Sequence, residues 1–335
     1  MRVSQFIRQS GRNIITSVNH IHRQGDKRDI LILSSPRSGS TWLMESFYTQ
    51  PGVKILNVPL EKIYLEFLRV HPSPRNFYAS LTPEEQLIFK NYLSKDRPIR
   101  HCGPLNIFEK DFSFFTNRRV LKIHKLTALI EWLADELDFE VIYLIRHPIP
   151  QSLSAKRRGF LNRINDFISD ETFVEKHLDL KQRIVAENIR ENGTDLEQYV
   201  TSWCLENLVA FKIPQNQRRW ILVSYEQLVT KPVACFTFLR KRLEFENVEG
   251  MLSRLNIPSR ESSTSLDEKV RRIQTRDTAY LVNGWVKEVG EAEIVRSMDV
   301  LELFDIHVYR ADRFFPDDEF LLFPEEELFL QTAQV

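Results

Sequence analysis

The sequence predicts an α/β fold, a three-layer sandwich with a mainly parallel central sheet between helices. Three observations predict it. Strand-like stretches at 30–34, 119–123, 141–145 and 220–224 alternate with segments of helical length. Such alternation of strand and helix is the pattern of a parallel sheet with helices on its faces. The chain has 335 residues, 42% of them hydrophobic, enough for one large core.

Taken in order, residues 1–28 differ from the rest. Arg2, Arg8, Arg12, Arg23, Lys27 and Arg28 interleave with Val3, Phe6, Ile7, Ile14, Ile15, Val18 and Ile21, and Asp26 is the only acid. That spacing predicts a basic amphipathic helix packed on the domain. Such a helix could also make peripheral contact with a membrane or a partner, or serve as an organelle presequence. A single domain is expected over 29–312, with helices near 40–49, 83–94, 126–137, 149–157, 195–211, 226–243 and 291–303. An acidic, aromatic tail over 313–335 mixes Phe and Leu with Asp317, Asp318, Glu319 and Glu325 to Glu327. It reads as a strap on its own domain.

The first run is the most informative. Ile30-Leu31-Ile32-Leu33 leads into Ser34-Ser35-Pro36-Arg37-Ser38-Gly39-Ser40-Thr41-Trp42-Leu43. This is a strand, a small polar loop with one Gly, and a helix start. Backbone N–H groups there form an anion site, and the helix dipole favours negative charge. The loop is not a Walker A motif, which puts Lys straight after its last Gly. Here Ser40 and Thr41 follow Gly39, and Arg37 precedes it. A single phosphate-like group fits better than the tail of a triphosphate.

Two further stretches repeat the pattern of charge at a strand end. Val141-Ile142-Tyr143-Leu144-Ile145 runs into Arg146-His147-Pro148, with Ser152 and Ser154 on the helix that follows. Arg146 is a permanent, forked donor, and Ser154 adds a hydroxyl eight residues on. Taken alone, Arg146 reads first as a salt-bridged strand-end residue. In Val120-Leu121-Lys122-Ile123-His124, Lys122 and His124 are two apart, so a strand projects both to one face. An isolated His is more often a hydrogen-bonded core residue.

Together these stretches resemble the sulfotransferases that use 3′-phosphoadenosine-5′-phosphosulfate (PAPS). Pro36-Arg37-Ser38-Gly39-Ser40-Thr41-Trp42 is similar to their 5′-phosphosulfate loop. Arg146 and Ser154 are similar to their 3′-phosphate pair, and Lys122-Ile123-His124 to the Lys-x-His of the cytosolic-type enzymes. The resemblance implies a P-loop nucleotide-binding-like fold and sulfuryl transfer from PAPS to a hydroxyl or amine, with adenosine 3′,5′-bisphosphate as product and no metal. It implies cofactor contacts from Arg37, Ser38, Gly39, Ser40, Thr41, Trp42, Arg146, Ser154 and Tyr225. Arg37 and Lys122 would neutralise the leaving group, and His124 would be the general base. Tyr225, in Ser224-Tyr225-Glu226-Gln227-Leu228, and Trp42 would wall the adenine, and Tyr225 reads equally as a core aromatic.

Gly284-Trp285-Val286-Lys287 resembles the stretch after the family's Arg-Lys-Gly phosphate clamp. At the clamp positions, however, this chain has Thr278, Ala279 and Tyr280. Arg271, Arg272 and Arg276 lie just upstream as candidate substitutes. The departure resembles a soluble, bacterial-type member more than an animal cytosolic one.

Other features bound the reading. Formal charge is zero, which gives no global pull toward nucleic acid. Cys102, Cys204 and Cys235 show no disulfide or zinc spacing. No apolar stretch has bilayer length, and a cytoplasmic location is expected. The acceptor, a small molecule, lipid or glycan bearing a hydroxyl, is expected against 51–118 and 157–194. The first segment carries Glu61, His101, Phe67, Phe77, Tyr78, Phe108, Phe112, Phe114 and Phe115. The competing readings are a P-loop nucleotide kinase-like enzyme and a non-catalytic nucleotide-binding protein.

Overall fold

A computed structural model of the chain describes residues 21–58, 60–70, 77–93, 113, 115–259 and 267–323. Its strands are β1 (Ile21–His22), β2 (Asp29–Ser34), β3 (Val53–Asn57), β4 (Phe115–Thr116), β5 (Arg118–His124), β6 (Phe139–Ile145) and β7 (Ile221–Ser224). Five form one sheet in the order β3-β5-β2-β6-β7, with every pair parallel. β1 and β4 form a separate two-stranded parallel ladder.

The apolar runs are continuous rather than alternating because both faces of the sheet are covered. On one face, Ile30, Ile32, Val120, Ile142 and Leu144 join a core with helices Ser40–Phe47, Pro232–Arg242 and Val248–Ser253. On the other, Leu31, Leu33, Leu121, Ile123, Val141 and Tyr143 join the larger core, which includes Trp203 of helix Asp195–Lys212 and Met298 of helix Glu291–Leu303. Fully burying one such Leu or Ile contributes roughly 1.5–3 kcal/mol. The fold is therefore the α/β three-layer sandwich that the alternation predicts.

Register decides where chemistry can occur. Ser34 lies opposite both His124 and Leu144, and Ile145 lies opposite Ser224. The carboxyl ends of β2, β5, β6 and β7 thus come level at one edge, where open parallel sheets bind ligands.

Several elements differ from the sequence reading. β3 is a strand inside the segment assigned to the acceptor. The helix expected over 226–243 is two, Tyr225–Thr230 and Pro232–Arg242, joined at Lys231 with φ −129° and ψ 50°. Pro232 excludes its predecessor from helical backbone. The helix expected over 126–137 begins as a 3₁₀ turn, Thr127–Leu129, before Ile130–Glu136. The segment 157–194 folds into helices Ile164–Ile168, Glu171–His177 and Leu180–Asn192.

Of the helix expected over 1–28, residues 21–22 pair as a strand and residues 23–28 form no helix. Residues 1–20, His101, Cys102, Phe108, Phe112, Phe114, the side chain of Glu61 and residues 324–335 lie outside the described residues. Cys204 and Cys235 are free and buried. Among the described residues, no helix is long and apolar enough to cross a membrane.

Candidate functional site

The loop after β2 turns on two left-handed residues, Arg37 at φ 72° and Gly39 at φ 96°. Gly39 is required there. A Cβ would sit 2.8 Å from Cδ2 of Tyr225, in a backbone region that side chains disfavour. Helix Ser40–Phe47 starts at once, and no side chain caps it. Its first-turn N–H groups lack intrahelical acceptors, the usual condition for an anion at a helix start.

Neighbouring elements hold the loop. Gln151 Nε2 donates to the Pro36 carbonyl at 2.8 Å, and Arg146 Nη1 donates to the Arg37 carbonyl at 3.2 Å. Ser34 Oγ donates to Ser40 Oγ at 2.9 Å.

Most of the sequence-predicted residues meet in one cleft at the carboxyl edge. Arg37, Gly39, Ser40, Thr41 and Trp42 line it from the loop, and His124, Arg146 and Tyr225 line it from the ends of β5, β6 and β7. Arg37 and Arg146 also line an adjoining cavity, together with Ser154. Arg37 Nε donates to Ser154 Oγ at 3.1 Å. Ser38 and Lys122 do not line the cleft and are each 1% exposed. Lys122 reaches the loop from beneath, its ammonium donating to Thr41 Oγ1 at 2.7 Å.

The aromatic residues divide. Trp42 lines the cleft while donating Nε1–H to the Arg254 carbonyl at 3.2 Å and meeting Phe236 edge-on at 6.0 Å. Tyr225 lies beneath the Arg146 guanidinium, 4.3 Å from Cζ to ring centroid. Its ring thus supports Arg146 as well as lining the cleft. Trp285 is buried and stacks against His147 with centroids 4.9 Å apart. Burial, with Arg146 close by, lowers the His147 pKa to about 3. That imidazole is neutral and accepts from the Ile149 N–H at the helix start.

The adjoining cavity is strongly basic. Besides Arg37 and Arg146 it is lined by Arg157, Arg158 and Lys269. Burial first, then Arg146, Arg37, Arg157 and Arg158, bring the Lys269 pKa down to about 7. Two acids line the same cavity, Glu268 and Glu288, and Glu288 pairs with Arg157 at 2.6 Å.

Sequence reasoning missed Lys269, Arg157 and Arg158. Lys269 lies one helical turn before Ile273, and the fold sets both on the cleft; no sequence motif marks it. Of the three upstream arginines, only Arg276 lines the cleft. Arg272 is held by Asp277 at 2.5 Å and Glu268 at 3.3 Å, and Arg271 is exposed and lines neither cavity. At the clamp positions, Thr278 lines the cleft and Tyr280 the basic cavity.

Two buried polar atoms of the predicted set, Arg146 Nε and Ser38 Oγ, have no hydrogen-bond partner. A buried donor left so costs about 1–3 kcal/mol. Orphaned donors beside a basic cavity fit a phosphate-bearing ligand.

No family model matches the chain, and no curated protein matches it. Two solved structures are similar in outline. One is the sulfotransferase domain from the Synechococcus PCC 7002 olefin synthase, at 18% identity and a TM-score of 0.46, covering 86% of this chain and 98% of that one. The other is mouse sulfotransferase SULT7A1 complexed with PAP, at 15% identity and a TM-score of 0.38, covering 84% of this chain and 88% of that one.

Proposed function

We propose that this chain is a PAPS-dependent sulfotransferase that moves a sulfuryl group to an acceptor hydroxyl. The observation that carries the reading is the meeting of Arg37 and Arg146. They come from motifs more than a hundred residues apart, yet Arg146 donates to the Arg37 carbonyl and Arg37 to Ser154. One ligand with phosphates at both ends suits that arrangement. Arg146, Ser154 and Lys269, with Arg157 at the rim, would hold a ribose 3′-phosphate, which ATP lacks. The loop N–H groups of 38–41 and Arg37 would hold the 5′-phosphosulfate. Trp42, Leu255, Ile273 and Leu281 give the cleft apolar walls suited to adenine.

When bound, PAPS supplies a sulfuryl group on a good leaving group. The chain's own residues do the rest. Ser34 directs its hydroxyl at Ser40, so its oxygen accepts from Nδ1 of His124 at 3.3 Å. This assignment leaves Nε2 of His124 as the basic nitrogen. His124 takes the acceptor proton as the oxygen attacks in line, a contribution of about 10²- to 10⁴-fold. Arg37 stabilises the charge that grows on the departing phosphate, and Lys122 acts on it through Thr41. Fixed donors of this kind are worth roughly 3 kcal/mol each.

The test is direct. Adenosine 3′,5′-bisphosphate should raise the melting temperature, and ATP with magnesium should not. The opposite result favours the kinase-like reading and rejects this one. His124→Ala should keep bisphosphate affinity and lose about 10²- to 10⁴-fold in turnover of PAPS. Near-normal turnover removes His124 as the base.

A further inference from the structure

A second cavity, about 330 Å³, lies on the other side of the catalytic strand end. Consecutive residues divide between the two spaces. Arg37 and His124 line the nucleotide cleft, while Pro36 and Lys125 line the second cavity. Helix Pro148–Arg157 separates them by its own periodicity. Pro150, Ser154 and Arg157 line the basic cavity, whereas Gln151, Ser152 and Ala155 line the second one.

The second cavity has a different chemistry. Three of its lining residues carry buried polar atoms without a partner: Gln151 Oε1, Ser152 Oγ and Arg163 Nη2. They are an acceptor, a hydroxyl and a donor. Charge is balanced there, unlike in the basic cavity. Arg163 pairs with Asp166 at 2.8 Å and Glu206 at 2.9 Å, and Lys125 is the remaining cation among the lining residues. At the mouth, Phe160 and Leu161 expose apolar surface, 38% and 84% respectively. The volume lies at the lower end for small-molecule sites.

We infer that this cavity is the acceptor site and that the acceptor is a neutral, polyhydroxylated ring, a sugar or a sugar headgroup. This rests on the sulfuryl-transfer reading above. Alternating hydroxyls match an orphan acceptor, hydroxyl and donor, and the C–H face of the ring rests on Phe160 and Leu161. A phenol or aliphatic alcohol would leave those polar atoms unsatisfied. In the reaction, one ring hydroxyl oxygen forms the new O–S bond while the S–O bond to the 5′-phosphate breaks. The electron pair leaves on the phosphate oxygen and the hydroxyl proton passes to His124. The products are a sugar sulfate ester and adenosine 3′,5′-bisphosphate.

The test uses the full chain with methyl β-D-glucopyranoside, methyl β-D-galactopyranoside and maltose as probes, against 4-nitrophenol and 1-octanol. Saturation-transfer NMR reads binding with and without adenosine 3′,5′-bisphosphate, and mass spectrometry reads sulfation by PAPS. A saccharide should bind and be sulfated. Ser152→Val should raise its KM at least tenfold while bisphosphate affinity stays within twofold. Leu161→Asp, at an exposed position that cannot disturb the core, should raise KM several-fold. Turnover of 4-nitrophenol or 1-octanol with no saccharide binding overturns the inference, as does an unchanged saccharide KM in both variants. Bisphosphate binding with no saccharide binding rejects the acceptor class alone. Saccharide binding that Ser152→Val abolishes, without any bisphosphate binding, rejects the nucleotide reading and keeps the cavity's ligand.

Discussion

The two ends of the central sheet both hold arginines, buried at one end and half-buried at the other, and they treat them in opposite ways. At the amino end, Arg119 is 4% exposed and meets Asp29, 1% exposed. One Asp29 oxygen accepts from the Arg119 backbone N–H at 2.7 Å, and the other from its guanidinium at 2.7 Å. Arg118 beside it donates to the carbonyls of Arg28 and Leu243. At the carboxyl end, Arg146 has a carbonyl, the face of Tyr225 and an unpartnered Nε, with Lys269 and Arg157 lining the same cavity. A withdrawn charge costs several kcal/mol unless it is paired and hydrogen-bonded. The first arrangement is complete within the fold. The second leaves Arg146 Nε without a partner beside further cations. On the proposed function, compensation within the fold is what separates a structural arginine from a ligand-binding one.

Removing one charge at each end is the strongest test of that contrast. Asp29→Ala strands Arg119 in the core and should lower stability by about 3–5 kcal/mol, read by urea denaturation, with the bisphosphate affinity of the folded protein unchanged. Arg146→Ala should do the reverse. Stability should change by about 1 kcal/mol or less, and affinity for adenosine 3′,5′-bisphosphate should fall roughly 100-fold by calorimetry, as for loss of a charge-assisted contact. Adenosine 5′-monophosphate should lose much less. Equal losses for both nucleotides would deny Arg146 the 3′-phosphate.

The contrast also explains what was legible in the sequence. β2 and β6 were readable because strands buried on both faces are unbroken apolar runs, and β5 and β7 because short apolar stretches end in the Lys-Ile-His and Ser-Tyr-Glu motifs. β3 was not, because Val53-Lys54-Ile55-Leu56-Asn57 carries no charged or hydroxyl motif at its end and Lys54 and Asn57 are only partly buried. The loop residues and Arg146 were readable because their spacing is local, within one strand–loop–helix unit. Lys269 was hidden because no local pattern marks it. The fold alone sets Lys269 of helix Asp267–Gln274 on the same cavities as Arg37 and Arg146. The second cavity was hidden for a similar reason. Gln151 and Ser152 differ from Ser154 only in which side of one helix they occupy. The paired Asp29 and Arg119 are ninety residues apart, and nothing in either neighbourhood announces the other.

Lys269 offers the next test, because it bears the repulsion directly. Lys269→Met should weaken bisphosphate binding about tenfold and raise the melting temperature of the ligand-free protein, since it removes one cation from a crowded group. Its pH dependence has a defined sign. The unfolded chain titrates near the ordinary lysine value of 10.5, and the folded protein near 7. Between those values the unfolded state binds more protons, so the wild-type protein gains stability as pH rises from about 7 toward 10.5. Binding runs the other way, because an anion favours the charged lysine. Bisphosphate affinity should therefore be full below pH 7 and fall as pH rises through it. The fall should be shallower in Lys269→Met, and an identical slope in both proteins would detach Lys269 from the anion.

The smallest expected effect separates two arginines that the sequence cannot tell apart. Arg272 resembles the amino-end residues: Asp277 and Glu268 hold it, and its guanidinium covers Tyr280 with Cζ 5.0 Å from the ring centroid. Arg276, at φ 53° just past the same helix, lines the cleft. If compensation is what decides, Arg276→Ala should weaken bisphosphate binding about three- to fivefold, the effect of a screened, rim-exposed charge on an anion. Arg272→Ala should leave affinity within twofold and lower the melting temperature slightly, since its loss removes two exposed pairs. Calorimetry on the two variants at low and high salt reads the difference. The Arg276 effect should shrink as salt rises, because a rim charge acts through solvent, whereas the Arg146→Ala deficit should persist. A larger loss for Arg272→Ala than for Arg276→Ala would mean that an ion-paired arginine can still be a phosphate ligand here, and the rule drawn from the two ends of the sheet would not extend to the helix that covers the cleft.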